Sequence, residues 1–155
     1  MNSKPPFFAQ ERYDTCALAC LRMILAYYGT EVSEAELVRM TAMEEGGVDI
    51  EELARLARRC GLVAEIVSLS EEELIELNAQ RRWMIVYLNR WPLDRVFAIH
   101  AVIPIRVSRV FVTVLDPMRG QRRLSRRKFD QARKYLDRLC VVCNQVQRPV
   151  TQRGS

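Results

Sequence analysis

"AQERYDTCALACLRMILAYYG", residues 9–29, is the segment that decides the fold, because a polar stretch leads there directly into one apolar helix. Asp14 or Thr15 can cap the first turn of this helix, and Gly29 can end it. Apolar side chains recur along it at helical spacing: Ala17, Cys20, Leu21, Ile24, Leu25 and Tyr28. We therefore expect an amphipathic helix whose first turn carries Cys16.

Cys16 and Gln10 form the first candidate pair for chemistry. A thiol in the first turn of a helix feels the positive end of the helix dipole, which favours the nucleophilic thiolate. The side-chain amide of Gln10, together with the backbone N–H of Cys16, can stabilise a developing oxyanion. An isolated cysteine at a helix start is more often structural, so this interpretation requires a base as well.

His100 is the only histidine of the chain, and it begins a segment that is typical of a β-strand. A second such segment ends at Asp116. A hairpin about Ser108 and Arg109 pairs the two segments and brings His100 roughly across from Asp116. The hairpin therefore predicts an imidazole within reach of a carboxylate, which is the arrangement of a general base and the group that orients it.

The remaining secondary structure predicts helices first and strands second. Three helix starts carry a capping residue followed three residues later by glutamate: Ser33 with Glu36, Asp49 with Glu52, and Ser70 with Glu73. β-branched and aromatic residues predict strands over residues 62–69, 83–89, 100–107, 110–116 and 139–146. Residues 125–136 form one further helix. This order predicts an α+β domain with N-terminal helices packed against an antiparallel sheet.

The net charge of +5 conceals two halves of opposite sign. Residues 1–79 hold 7 Lys or Arg against 15 Asp or Glu, whereas residues 80–155 hold 17 against 4. The basic excess is greatest over residues 119–138, which suits an acidic peptide, acidic lipid or nucleic acid, or else is a solvated helix face. We expect no nucleic acid, because only Phe129 and Tyr135 lie there as stacking aromatics.

The five cysteines argue against a disulfide framework, because their number is odd and no secretory signal precedes them. In "CVVC", Cys140 and Cys143 lie three apart on a predicted strand and therefore point to opposite faces. They cannot converge on one metal ion, and His100 is the only nitrogen ligand available. We expect core cysteines and neither a metal nor a cofactor. Cys20, one turn after Cys16, is interpreted as core rather than as a resolving thiol.

The chain is expected to be one domain over residues 1–146 with a disordered tail over 147–155. The N-terminus lacks the apolar run of a signal peptide, and no segment approaches the roughly 20 apolar residues of a membrane span. These features predict a cytoplasmic protein. Trp83 and Trp91 flank the segment before His100, where they either line a substrate groove or are buried under a loop.

These pieces together resemble the C39 peptidases, papain-like cysteine proteases that remove double-glycine leader peptides from bacteriocins and peptide pheromones. Gln10 and Cys16 match the family's Q-x5-C spacing, and residues 16–29 resemble its C-G-x-A-[CS]-L-x-M-x-x-x-Y-x-G. "GGVDIEELARLARRCGLVAEIVSL" resembles the segment G-x-[ST]-x-x-x-L-x-x-x-A-x-x-x-G-[FL]. His100 heading an apolar strand and "DP" at Asp116 complete a resemblance that spans about residues 7–145.

The resemblance implies a papain-like fold and a cysteine endopeptidase that cuts after a double glycine. Cys16 would be the nucleophile, His100 the general base and acid, Asp116 the orienting group and Gln10 the oxyanion donor. Ala17 departs from the family's usual glycine. The implied partners are a peptide with a double-glycine leader and a peptide-exporting ABC transporter, although the membrane and ATP-binding segments of such transporters are absent from this sequence. Two alternatives stay open: an inactive C39-like domain that binds a leader or transporter, and a binder of nucleic acid or lipid.

Overall fold

The computed structural model describes residues 3–43 and 47–146, so the expected disordered tail lies outside the described residues. Its helices are α1 (Cys16–Tyr27), α2 (Glu34–Met40), α3 (Ile50–Arg59), α4 (Glu71–Ala79), α5 (Trp91–Asp94) and α6 (Arg126–Lys134). Its strands are β1 (Leu62–Ser68), β2 (Met84–Asn89), β3 (Ile99–Val107), β4 (Phe111–Asp116), β5 (Gly120–Ser125) and β6 (Leu139–Gln145). Across this part of the chain no helix has both the length and the apolar character to cross a membrane.

The six strands form one antiparallel sheet in the order β1-β6-β2-β3-β4-β5. Helices α1 and α3 pack on one face, against β3 and β1, and helices α4 and α6 pack on the other, against β3 and β2. Each face buries its own apolar cluster. The predicted α+β class, with helices packed on an antiparallel sheet, is confirmed.

The two cysteines of "CVVC" confirm the predicted alternation along β6. Cys140 belongs to the apolar cluster beneath α6, whereas Cys143 belongs to the cluster around α1. Both thiols are buried, and burial raises the pKa of each to about 12. Both side chains therefore serve as core residues on opposite faces of the sheet.

Helix α1 is buried more completely than an amphipathic pattern predicts. Eight of its residues are buried, because β3 covers one side while α2 and α3 pack on others. Thr15 is the residue before the helix, as expected, but its side chain makes no capping bond. Its hydroxyl instead accepts from the backbone N–H of Arg12 and donates to the Arg12 carbonyl. Thr15 therefore fixes the turn that leads into Cys16, and its own side chain does not cap the first turn of α1.

Two elements escaped prediction, and both lie in the basic half. Strand β5 buries only Leu124, since it is an edge strand paired with β4 alone. The short helix α5 ends at Asp94 and is followed by Arg95, which adopts the left-handed conformation at φ 59°. The basic segment 119–138 is thus partly a strand, and not all of it is solvated. Arg133 is 1% exposed and donates to the Leu69 carbonyl at 2.6 Å.

Candidate active site

His100 and Asp116 lie together at the end of the sheet, as the hairpin predicts. The Nε2 atom of His100 is 2.7 Å from Oδ1 of Asp116, and both residues are buried. The backbone N–H of Met118 also donates to Oδ1, at 2.9 Å. Arg122 donates to the other carboxylate oxygen at 3.2 Å. The carboxylate therefore receives donors on both oxygens and holds the imidazole in one orientation.

The register of the hairpin differs from the predicted one. Ile103 pairs with Leu115, and the pairing shifts between Pro104 and Arg106, where Ile105 is the extra residue of a bulge. Continued by one step, this register sets Asp116 level with Val102 rather than with His100. The two side chains meet diagonally across the strands, a separation that an aromatic ring can span.

Cys16 is the first residue of α1 and is half-buried. Burial lowers the pKa of His100, but hydrogen bonds to Asp116 and Cys16 and the charges of both outweigh it and raise this pKa to about 9. Burial raises the pKa of Asp116, yet the hydrogen bond and charge of His100, the Met118 N–H and Arg122 lower it to about 2. Because Nε2 is bound to Asp116, Nδ1 is the ring nitrogen left for Cys16.

Gln10 lies on a loop that is tied to the end of β4. Its backbone N–H donates to the Pro117 carbonyl at 3.0 Å, and its side-chain nitrogen donates to the Arg12 carbonyl at 2.7 Å. The latter bond uses one of the two amide hydrogens and leaves the second for another acceptor. The next residue, Glu11, donates its backbone N–H to both carboxylate oxygens of Glu34, at 3.1 and 3.2 Å.

Glu34, Arg122 and Asp94 were missed by the sequence analysis. Glu34 is 2% exposed in the first turn of α2, where an acidic residue ordinarily favours the helix dipole and faces solvent. Arg122 was one member of the basic segment 119–138, and Asp94 lies between the predicted strands over 83–89 and 100–107. No spacing in a single sequence connects these residues with the site, because each reaches it from a different element.

The other thiols and the tryptophans occupy different surroundings. Cys20 is fully buried and donates to the Ala101 carbonyl at 3.5 Å, and burial raises its pKa well above the ordinary value, which supports a core role. Trp83 is 2% exposed and packs edge-on against Tyr27, so it cannot line a groove. Trp91 instead stacks on the exposed Phe97, with ring centres 4.3 Å apart.

Two surface cavities concern the candidate site and Trp91. The larger, about 680 Å³, adjoins the candidate site, since its lining includes Tyr87 of β2 and Ile99, the residue before His100. Its other lining residues are Ala42, Gly47 and Val48, the start of α3, and Tyr135, Leu136, Asp137 and Leu139. The other, about 570 Å³, is a basic groove between α5 and α6. This basic groove is lined by Trp91, Pro92, Arg95, Lys128, Gln131, Lys134 and Tyr135.

Gly47 supports the turn before Cys16, and we expect Gly47→Ala to disturb it. Gly47 has φ +106°, and a Cβ there would lie 2.9 Å from the Asp14 carbonyl oxygen. The substitution should therefore shift residues 14–16 and reduce the rate of Cys16 alkylation by iodoacetamide. Gly61→Ala is the matched control, because Gly61 has a similar φ of +92° and open space around it. Equal alkylation rates in the two variants would contradict the proposed role of this contact.

The model of the peptidase C39 family matches residues 4–136. A curated protein of Escherichia coli, the probable microcin-H47 secretion/processing ATP-binding protein MchF, is 29% identical over 126 residues. That match covers 81% of this chain but only 16% of the Escherichia coli protein. The similarity is therefore to one part of a much longer polypeptide.

Three solved structures share the fold over nearly the whole chain. A putative C39-like peptidase from Bacillus anthracis has a TM-score of 0.78 at 20% identity, covering 94% of this chain and 96% of its own. The peptidase domain of Streptococcus ComA, a bifunctional ABC transporter in quorum sensing, has a TM-score of 0.74 at 17% identity, covering 94% and 100%. A double glycine motif protease of an AMS/PCAT transporter, solved with its leader peptide, has a TM-score of 0.72 at 19% identity, covering 93% and 94%.

Proposed function

Since the chain belongs to the peptidase C39 family, we propose that it is a cysteine endopeptidase that removes leader peptides after a double glycine. The observation that carries the proposal is the buried 2.7 Å bond between His100 and Asp116 beside Cys16, at the start of α1. A buried carboxylate and imidazole next to a half-buried cysteine form the constellation of a thiol protease. Gln10 is the proposed oxyanion donor.

The proposed reaction starts from an ion pair, in which Nδ1 of His100 already holds the Cys16 proton and a thiolate lies beside the imidazolium. The thiolate attacks the carbonyl carbon of the scissile bond, and the oxyanion is bound by the Cys16 N–H and the Gln10 amide. The imidazolium then protonates the leaving amine, which releases the product that follows the leader. Water, deprotonated by His100, hydrolyses the thioester and frees the leader. Asp116 stays ionised throughout and stabilises the imidazolium.

Selection of a double glycine follows from the space that the attacking thiolate needs. Only glycine lets a peptide backbone approach another surface without a Cβ in between, so glycines on the carboxyl side of the leader suit a narrow cleft. Affinity must then come from more distant parts of the leader. The basic groove offers a surface that is complementary to acidic side chains, and Trp91 and Tyr135 add apolar contacts there.

The direct test is incubation with a panel of double-glycine precursor peptides, followed by mass spectrometry of the products. The proposal expects a new N-terminus immediately after Gly-Gly, and none with Cys16→Ala. Replacing the second glycine of the peptide by valine should stop cleavage while binding persists. Binding without any cleavage by the natural chain would favour the alternative, an inactive C39-like domain that holds a leader or a transporter partner.

The basic groove leads to a separate prediction about KM. Lys128 and Lys134 are exposed on α6, so reversing both charges should weaken leader binding without unfolding the chain. Because each exposed ion pair contributes about 0.2–1 kcal/mol, we expect KM to rise roughly tenfold with kcat little changed. Added salt should reduce the difference between variant and natural chain. Arg126 is unsuitable for this test, since it binds Glu71 and Asp130 and supports the fold.

The matched control for this double variant reverses Arg39 and Arg109, two exposed arginines outside the basic groove. It changes the net charge by the same amount. A KM that responds equally to both double variants would show a general effect of charge, and the leader would then be recognised mainly by apolar contacts.

A further inference from the structure

A chain of charges continues beyond Asp116. Arg122 of β5 donates from Nη1 to Oδ2 of Asp116 and from Nη2 to Oδ1 of Asp94, each at 3.2 Å. The guanidinium therefore bridges two carboxylates from two different elements. The side chains of Asp116 and Asp94 are only 4% and 7% exposed, and that of Arg122 is 22% exposed. This degree of burial distinguishes the bridge from a solvated surface ion pair.

Asp94 is itself held firmly. Arg90 lies 3.3 Å from its Oδ2, and Arg119 lies 3.4 Å from its Oδ1. The helix α5 that carries Asp94 begins where Asn89 accepts the backbone N–H of Trp91. Burial raises the pKa of Asp94, but the hydrogen bond and charge of Arg122, followed by Arg119 and Arg90, hold it below the ordinary value. Asp94 is therefore a fixed anion that orients Arg122.

We propose that Arg122 and Asp94 are positioning residues, which hold the Asp116 carboxylate in place and set the pH at which His100 loses its proton. Oδ1 of Asp116 already receives His100 and the Met118 N–H, so Arg122 on Oδ2 is the contact that stops the carboxylate from rotating. The effect of the pair on catalysis rests on the proposed function. Its effect on the imidazole follows from the ion pairs alone.

The two residues act on His100 with opposite sign. The positive charge of Arg122 stabilises the Asp116 carboxylate. The same charge repels the His100 imidazolium and therefore makes the imidazolium easier to deprotonate. Asp94 offsets that charge and acts in the other direction. Among the described residues, the other titratable or charged groups around this site include Cys16 and Cys20 of α1, Tyr87 of β2, Arg90 before α5, and Arg119 before β5.

NMR titration of the imidazole tests this proposal without any substrate, because His100 is the only histidine. With Arg122→Gln, the loss of the imidazole proton should move to higher pH by about half a unit to one unit. With Asp94→Asn it should move to lower pH by a similar amount. Arg123→Gln is the matched control, because this substitution removes the same charge from an exposed residue. Arg123 lies over the Phe111 ring, 4.3 Å from its centre. The control should leave the titration unchanged.

Kinetics separate positioning from charge. Arg122→Gln should reduce kcat by about tenfold with KM little changed, as expected for a loss of preorganisation at the reacting centre. Arg122→Lys keeps the charge but cannot bridge two carboxylates in a fork, so it should restore the titration of His100 and only part of kcat. A merely structural role would not divide the two measurements in this way.

The outcomes for this proposal and for the proposed function are distinct. Shifts of the same sign for Arg122→Gln and Asp94→Asn, or shifts no larger than that of the control, would overturn the positioning role even if cleavage is observed. A natural chain that cuts no double-glycine peptide would overturn the proposed function, while the NMR titration still decides the role of Arg122 and Asp94. If Arg122→Gln does not fold, Arg122→Lys and Asp94→Asn provide the same comparison of charge and bridge.

Discussion

Cys16→Ala should reduce cleavage of a double-glycine precursor to background. The variant removes the proposed nucleophile, and no other thiol can replace it. Cys20, Cys140 and Cys143 are buried in the core, and burial raises the pKa of the half-buried Cys60. The fold should persist, because Cys16 is half-buried in a first helical turn and alanine is a good helix former. Product analysis by mass spectrometry, together with a thermal melt of natural and variant chains, measures both expectations.

Alkylation provides the control that does not depend on knowing the substrate. Iodoacetamide should label Cys16 well below pH 8 and ahead of the other four cysteines. Equal or slower labelling of Cys16 would contradict an activated thiolate. Full cleavage by Cys16→Ala would show that another residue is the nucleophile.

His100→Ala should lower kcat/KM by several orders of magnitude, since it removes both the base and the acid of the proposed reaction. Asp116→Asn should have a smaller effect, because the side chain keeps its shape and loses only the charge that stabilises the imidazolium. In that variant Arg122 still faces the site with a positive charge, so the imidazolium should be destabilised further. Steady-state kinetics on one cleaved precursor peptide compares the three proteins.

The pH dependence of cleavage gives the sign of the interaction between His100 and Asp116. Burial lowers the pKa of His100, but the Asp116 and Cys16 contacts outweigh it and raise this pKa to about 9, so the imidazolium is present at neutral pH and is lost as the pH rises through about 9. Activity of the natural chain should therefore fall on the alkaline side near that pH. Asp116→Asn removes a group that raises this pKa, so its alkaline limit should move to lower pH. An unchanged alkaline limit would contradict the role of the carboxylate.

The local patterns predicted most of the fold because they depend on residues close together in the chain. The starts of α2, α3 and α4 at Ser33, Asp49 and Ser70 are confirmed, and each side chain accepts the expected backbone N–H. The alternation of Cys140 and Cys143 is confirmed for the same reason. Strand β5 was missed because an edge strand with one buried residue, Leu124, carries no apolar alternation.

The residues of the candidate site also differ in how far the sequence predicts their positions. His100 and Asp116 could be brought together from sequence because one hairpin joins them, although the bulge at Ile105 makes their contact diagonal rather than direct. The role assigned to Cys16 came instead from its place in a helix and from the family resemblance. Gln10 was assigned in the same way. Cys16→Ala tests the first assignment, and the role of Gln10 stays a prediction.

The sequence by itself determined the helix starts, the antiparallel strands, the separation of the two cysteines of β6 and the nearness of His100 to Asp116. Tertiary structure alone decided which distant groups surround them. Glu34 comes from α2 to hold the loop of Gln10, and Arg122 joins Asp116 to Asp94 across two elements. The physical reason is range. Capping and strand alternation act over a few residues, whereas a buried charge is stable only where the whole fold supplies its partner.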